Sequence, residues 1–393
     1  MKLLYITSGL FPRGSAYASR LLNFARLIKD IGFDIHIMVD YVSDKKFLDN
    51  NNYGLYEDIS FQVIGDKISS LKSRIMNPRI CRDYLKEYLD QNKVDLIIMS
   101  SSSDRFNLLF QEIKKRQIPI ILESCEWFHY SNWRGGKINP FYRQYENCFK
   151  NHFIKVDGVI AISRLLEEHY RKHVGNVIRI PTILDVSNIP FNLETKNEKI
   201  TLMYAGNPGK SKELISNILI AFHELGEEKE RFIFNIFGIG KEQLEKQLEN
   251  ESYLIDDLKG YVNIKGKVLQ DLINEEYQKS DFGIFLRPNR RSSHAGFPTK
   301  LAESMAAGTP VICNDTGDIS LYVNNGINGF LLKDESPTTL KEALREINRL
   351  SKEQLNSMRS KTRITAEQKF DYRDYKEDVK EFILLIEKTL KNK

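Results

Sequence analysis

The sequence predicts an α/β protein built from two doubly wound parallel sheets, and three observations carry that expectation. Apolar runs of strand length alternate with helical patterns, and the alternation restarts near residue 200 after a polar stretch. At 393 residues the chain also exceeds what one hydrophobic core usually organises. It divides accordingly into residues 1–185, a linker over 186–199, residues 200–370, and a final helix over 371–393. Hydrophobic residues make up 41% and charged residues 28%, which places the chain among soluble globular proteins and outside the disordered class.

The elements follow in order. KLLYITS reads as a first strand and leads through the glycine loop SGLFPRGS into a helix from Ala18 to Ile31. DIHIMVDY, DLIIMSSS, IPIILES and DGVIAIS are further apolar strands, with a helix near Phe106 to Arg116 between two of them. After DVSNIPFNLETKNEK the second series runs ITLMYAG, RFIFNIFGIG, VNIKGKV, DFGIFLRP, TPVICND and NGFLL, with helices between. In sheets of this kind ligands bind beyond the carboxyl ends of the strands, so the site is expected there, in a cleft faced by both domains. The tail DYRDYKEDVKEFILLIEKTLKNK is a long amphipathic helix that suits packing on the second domain or crossing back to the first.

Composition excludes several functions. Cys81, Cys125, Cys148 and Cys313 are scattered without CxxC spacing, so neither a zinc site nor a disulfide framework is expected, and no metal ligands are assigned. The opening run lacks a small-residue cleavage site, and no uncharged stretch approaches the roughly 18 residues of a membrane helix. A cytoplasmic protein is expected. The net charge of +5 is uneven: up to Asp185 there are 27 Lys and Arg against 21 Asp and Glu, and 31 against 32 beyond. That excess suits an acidic partner such as the inner face of a membrane, and LKSRIMNPRICRDYLKEYL mixes basic and apolar residues as a peripheral contact would; solvated lysines and a packed helix explain the same residues. Nucleic acid is not an expected partner, because no basic run is interleaved with aromatics.

The chemistry concentrates in GFPTKLAESMAAGTPVI, residues 296–312. Gly296, Phe297 and Pro298 lead into a helix whose unpaired N–H groups form an anion site, with Pro298 at its first position. Lys300 supplies a cation and Thr299 a hydroxyl for phosphate, while Glu303, a turn further on, can accept two hydrogen bonds from a ribose diol. A capped helix with a surface Lys/Glu pair is the plainer alternative. YAGNPGKSKE brings Gly206, Gly209, Lys210 and Lys212 to another strand end, and FLRPNRRSSHAG brings Arg287, Arg290 and Arg291 to a third. FGIGKEQ has a GxG but no third glycine, and reads as a strand-to-helix turn.

On these segments the chain resembles glycosyltransferase family 4, retaining enzymes of the GT-B architecture, two Rossmann-like domains facing across a cleft, and looks most like bacterial members that build capsule, O-antigen or exopolysaccharide. SGLFPRGSAYASRLL, DGVIAISRLLEEHYRK, IRIPTILD, YAGNPGKSK and GFPTKLAESMAAGTPVI carry the likeness over nearly the whole chain. The resemblance implies a UDP-, GDP- or dTDP-linked sugar as co-substrate, no other cofactor, and a lipid-linked or oligosaccharide acceptor. It places Lys212 on the donor diphosphate, Glu303 on the ribose, Lys265, Gly266 and Val268 at the base, and Gly14 and Ser15 at the phosphates or acceptor hydroxyl. Ala295 stands where the family has a first glutamate that contacts the donor sugar, and Asn207 where it has an arginine, a loss of diphosphate charge for which an arginine of the 287–291 segment, such as Arg287, or Lys300 would compensate. In ILESCEWFHYSNW, Glu123, Glu126 and His129 follow a strand beside Trp127 and Trp133, whose faces suit sugar rings. Glu126 is the candidate for orienting the acceptor, with a turn-capping carboxylate as its plainer reading. No Asp-any-Asp triplet occurs, so the leaving diphosphate is expected to rely on cations and helix-end N–H groups without a metal. The alternatives are a noncatalytic scaffold or partner of the same fold, and a nucleotide-sugar epimerase.

Overall fold

The computed structural model describes residues 1–65, 71–100, 105–194, 198–209 and 212–391. They form two compact units: Met1–Ile183 with Tyr372–Lys393, and Leu184–Asp371.

The first unit contains strands β1 (Lys2–Ile6), β2 (Leu10–Phe11), β3 (Asp34–Val39), β4 (Tyr41–Val42) and β5 (Tyr53–Tyr56). It continues with β6 (Ile59–Val63), β7 (Leu96–Ser100), β8 (Ile120–Ser124), β9 (Gly158–Ala161) and β10 (Val177–Arg179). Eight of them make one sheet in the order β10-β9-β8-β7-β1-β3-β6-β5, and β2 pairs with β4. The eight-stranded sheet is parallel except at the β5–β6 hairpin, whose two turn residues, Glu57 and Asp58, both have positive φ.

The period of two along each strand sets the core. Leu3 and Tyr5 of β1, Ile35, Ile37 and Val39 of β3, and Leu96 and Ile98 of β7 share one buried cluster. The Ala16–Asp30 helix contributes Leu21, Phe24, Leu27 and Ile28 to that cluster, spaced at helical intervals. Tyr372, Val379, Phe382, Ile383 and Ile386 complete it, so the tail helix Lys376–Lys391 belongs to the core of the first unit. The basic segment 71–89 lies in a helix, Leu71–Gln91, and Cys81, Leu85, Tyr88 and Leu89 on it are buried.

The second unit holds β11 (Ile200–Ala205), β12 (Phe232–Phe237), β13 (Val262–Gly266), β14 (Phe282–Phe285), β15 (Val311–Asn314) and β16 (Gly329–Leu332). All are parallel, in the order β13-β12-β11-β14-β15-β16. The Thr299–Ala306 helix buries Leu301, Ala302, Met305 and Ala306. It can lie so close because Gly283 of β14 has no side chain: a Cβ there would sit 2.5 Å from Ser304 Oγ. Residues 186–192 are fastened to this unit, with Arg363 donating to the carbonyls of Val186 (2.9 Å) and Ile189 (2.8 Å) and Arg359 to that of Asn192 (3.1 Å).

Candidate functional site

The carboxyl ends of β11, β12 and β13 meet through glycines. Gly206 N donates to Phe237 O (2.9 Å) and Gly238 N to Gly266 O (2.7 Å). A Cβ on Gly238 would stand 2.7 Å from Gly206 O, which excludes a side chain there sterically, and φ of +136° at Gly206 and +95° at Gly238 disfavours one at both. Beyond Gly206 the loop turns tightly. Asn207 Oδ1 accepts from Gly209 N (3.0 Å) and Gln247 Nε2 (3.1 Å), and Glu213 N donates to Pro208 O (3.1 Å). Asn207 therefore builds the loop. Lys212 is exposed on it; Lys210 lies outside the described residues.

That turn brings Glu213 beneath the strand end. Its carboxylate accepts hydrogen bonds from both the Tyr204 hydroxyl and the Lys300 ammonium, and only 4% of its side chain is exposed. Lys300 comes from the Thr299–Ala306 helix and is 13% exposed; its Nζ lies 4.2 Å from the centre of the Tyr204 ring and would be 3.4 Å from a Cβ on Gly206. Burial lowers the Lys300 pKa, with Lys212 and Arg287 acting in the same direction and Glu213 opposing them. Burial would raise that of Glu213, but Lys300 and Tyr204 outweigh it and hold the carboxyl below its ordinary value. Burial, then Glu213, pushes the Tyr204 phenol well up. The sequence expectation of a simple phosphate cation at Lys300 is thus amended: this lysine is half of a buried ion pair.

The turn before that helix also differs from expectation. Pro298 is its capping residue, extended at φ −76° and ψ 106°, and Thr299 is the first helical residue. No side chain caps the N-terminus. Arg287 is 6% exposed and donates through Nη1 to the carbonyls of Ser293 (2.8 Å) and Gly296 (3.2 Å), so it staples the loop in place. The Phe297 ring is 8% exposed and packs edge-on against Tyr322 and Phe370, which makes it core. Ala295 is wholly buried. Glu303 is half-buried, and its charge helps raise the pKa of the buried Tyr277 after burial itself. Lys265 is exposed on β13, an edge strand, while Val268 packs against the cluster of Met203, Ala205, Phe237, Tyr277 and Ala307. Gly206, Lys212, Glu213 and Lys300 are brought together; Lys265 and Val268 lie at the β13 end.

In the first unit, Gly14 takes φ +96° and Ser15 caps the Ala16–Asp30 helix, its Oγ accepting from Ala18 N at 3.0 Å. The Ser15 hydroxyl is therefore engaged in a cap. Glu126 is exposed just after β8, and its backbone carbonyl accepts from Tyr145 OH at 3.0 Å. Glu123, by contrast, is 2% exposed and bound by Arg20 Nε (2.8 Å), Tyr17 OH (3.0 Å) and Tyr5 OH. Trp127 stacks on Phe149 at 4.2 Å, Trp133 packs near Phe128, Tyr142 and Tyr145, and His129 caps the short turn Tyr130–Asn132. These aromatics serve packing. Sequence reasoning passed over Glu213, whose only local sign was its place beside Lys212 at the close of a glycine loop.

Residues 185–365, nearly all of the second unit, match the family model described as Glycosyl transferases group 1. The likeness to that family lies in the second unit. An uncharacterised glycosyltransferase of Methanocaldococcus jannaschii is 24% identical over 366 residues, 88% of each chain. Sucrose-phosphate synthase from Thermosynechococcus elongatus superposes with a TM-score of 0.74 at 13% identity, covering 98% of this chain and 99% of that one. Anabaena HepE, solved with UDP and glucose, gives 0.70 at 14% identity over 98% and 99%. These likenesses establish the GT-B fold.

Proposed function

We propose that the protein is a retaining hexosyltransferase of family 4 that moves a sugar from a nucleotide donor to a lipid-linked or oligosaccharide acceptor in bacterial surface-polysaccharide synthesis. The observation that carries this reading is the convergence of Lys212, Lys300 and the Gly206 loop at one strand end, inside the residues matched by the family model, with Glu303 one turn beyond Lys300. The two ammonium groups, with the backbone N–H groups of Thr299 and Lys300 at the helix start, offset the charge that develops on the leaving diphosphate, so no metal is assigned to the step. Glu303 takes the ribose diol, and the β13 end around Lys265 and Val268 takes the base. The bound UDP of HepE supports a uridine donor.

On the acceptor side, Glu126 is the exposed carboxylate assigned to the incoming hydroxyl, with Gly14 near the phosphates. Retention then follows from same-face attack, in which the leaving phosphate oxygen receives the acceptor proton. We assign the protein to the cytoplasmic face of a membrane, where the excess positive charge of residues 1–185 meets acidic lipid. A thermal-shift panel of UDP-, GDP- and dTDP-sugars tests the donor. Lys212→Ala and Glu303→Ala are each expected to weaken nucleotide binding about tenfold or more while the protein stays folded. Unchanged binding and turnover in both variants would sink the assignment.

One observation favours a second reading. Ala295 is wholly buried where the family carries a carboxylate, and Asn207 is engaged in its turn, which suits a nucleotide-sugar-binding partner subunit that performs no transfer. Absence of both transfer and slow donor hydrolysis, with binding retained, would select it.

A further inference from the structure

Lys300 is the cation most deeply set at the β11 end, and burial alone works against its charge. Its ammonium faces three groups: the Glu213 carboxylate, the Tyr204 ring with its centre at 4.2 Å, and the Phe285 ring of β14 with its centre at 5.8 Å. The remaining charged and titratable neighbours come from every element around it. Lys212 lies on the same loop as Glu213, Arg287 follows β14, Glu303 is on Lys300's own helix, and Tyr277 of the Gln270–Lys279 helix faces Glu303 and Glu213. Both of the other cations oppose a charge on Lys300. Glu213 is the carboxylate in contact, and it is itself fixed by Tyr204 OH and by its own N–H to Pro208 O at 3.1 Å.

We propose that Glu213 is a positioning residue for nucleoside diphosphate binding: it holds the Lys300 ammonium against the Gly206 loop and keeps it protonated, so that the site presents a fixed cation over the working pH range. The inference rests on the donor-site reading above and adds a role to a residue that touches no phosphate in that reading. Three donors sit on an ammonium, and Glu213 engages one side of it, so the group can serve an anion without leaving its carboxylate. No covalent step is involved. The consequence is a charge balance. Lys212 and Lys300 against Glu213 leave one net positive charge among these three groups, with Arg287 turned toward its loop carbonyls.

The test is titration calorimetry of UDP, with GDP and dTDP in parallel, between pH 7.5 and 10. Glu213→Gln keeps the shape and the hydrogen bond to Tyr204 but removes the opposing charge, so Lys300 loses its proton at lower pH. Its UDP affinity is expected to fall at least about tenfold between pH 7.5 and 9, with less than threefold change in the parent protein, since one pKa unit corresponds to a factor of ten. Adding Lys300→Arg to Glu213→Gln should abolish that dependence, because a guanidinium stays charged throughout. A merely structural glutamate would lower affinity equally at all pH values and would not be corrected by arginine; that outcome overturns the proposal. If Glu213→Gln does not fold, Glu213→Asp is measured instead, and a pH dependence in it as steep as that expected for Glu213→Gln counts against the proposal. A parent protein that binds none of the three diphosphates overturns the donor-site reading and this inference together, whereas binding without the shifted limb overturns this inference alone.

Discussion

Each unit places a tyrosine, a glutamate and a cation around the carboxyl end of its first long strand, and the two clusters are built for different ends. In the first, Tyr5 and Tyr17 donate to Glu123, and Arg20 divides its guanidinium between Glu123 and the carbonyls of Pro181 and Ile180. Arg20 and Glu123 are 3% and 2% exposed. Each nitrogen of that guanidinium donates a hydrogen bond. In the second, Tyr204 and Lys300 converge on Glu213, but the cation is an ammonium with one hydrogen-bond partner among the described residues, 13% exposed beside a glycine. A tyrosine and a glutamate make a staple when the cation is a buried arginine; with a lysine in its place, the second cluster is the one on which the proposed donor site relies. The helix ends differ in the same sense: Ser15 caps one, and Pro298 leaves the other to whatever lies in front of it.

The largest expected effect separates staple from site. Arg20→Ala strands a buried carboxylate and should cost about 3–5 kcal/mol of unfolding free energy, read by urea denaturation with nucleotide affinity largely retained in the surviving fold. Lys300→Ala should cost less stability and more affinity. If both variants lost stability alone, the contrast between the clusters would collapse.

An intermediate effect comes from acid. Burial, with Lys2 adding to it, lowers the His36 pKa from 6.5 to about 4, and burial with His173 and Lys172 does the same at His169, both in the first unit. A histidine whose folded pKa is depressed contributes stability above pH 6.5 that is lost as pH falls toward 4. Thermal unfolding between pH 7.5 and 4.5 should therefore destabilise the first unit by about 1–2 kcal/mol per well-buried histidine. His36→Gln, which removes the titrating ring from its place beside Ser60 Oγ at 2.9 Å, should flatten the curve. A slope unchanged by that substitution would assign the acid response elsewhere. The smallest effect is Ser15→Ala, about 1 kcal/mol through loss of the cap, measured by denaturation.

The sequence carried the strand–helix alternation because parallel strands buried on both faces are unbroken apolar runs, as in DIHIMV and LIIMS. It did not carry the β5–β6 hairpin. The turn there is Glu57–Asp58, both left-handed, without the Asn-Gly pair that normally marks such a turn. At the candidate site the glycine loop and the TKLAE turn were legible as local chemistry. The pairing of Lys300 with Glu213 was not, since 87 positions separate them and only the sheet brings them together. The contacts of Arg287 and Phe297 were hidden for the same reason: nothing adjacent in sequence reveals that one staples carbonyls and the other packs on Phe370.

The return of the tail to the first unit has a consequence for biosynthesis. Gly158 of β9 is bare because Ile386 fills its place, an added Cβ lying 2.3 Å from Ile386 Cδ1. Residues 372–386 leave the ribosome only after the whole of the second unit. The later-encoded domain is therefore the first able to finish folding, while the earlier one waits with an open apolar face for its closing helix, a window in which a holding chaperone would find its client.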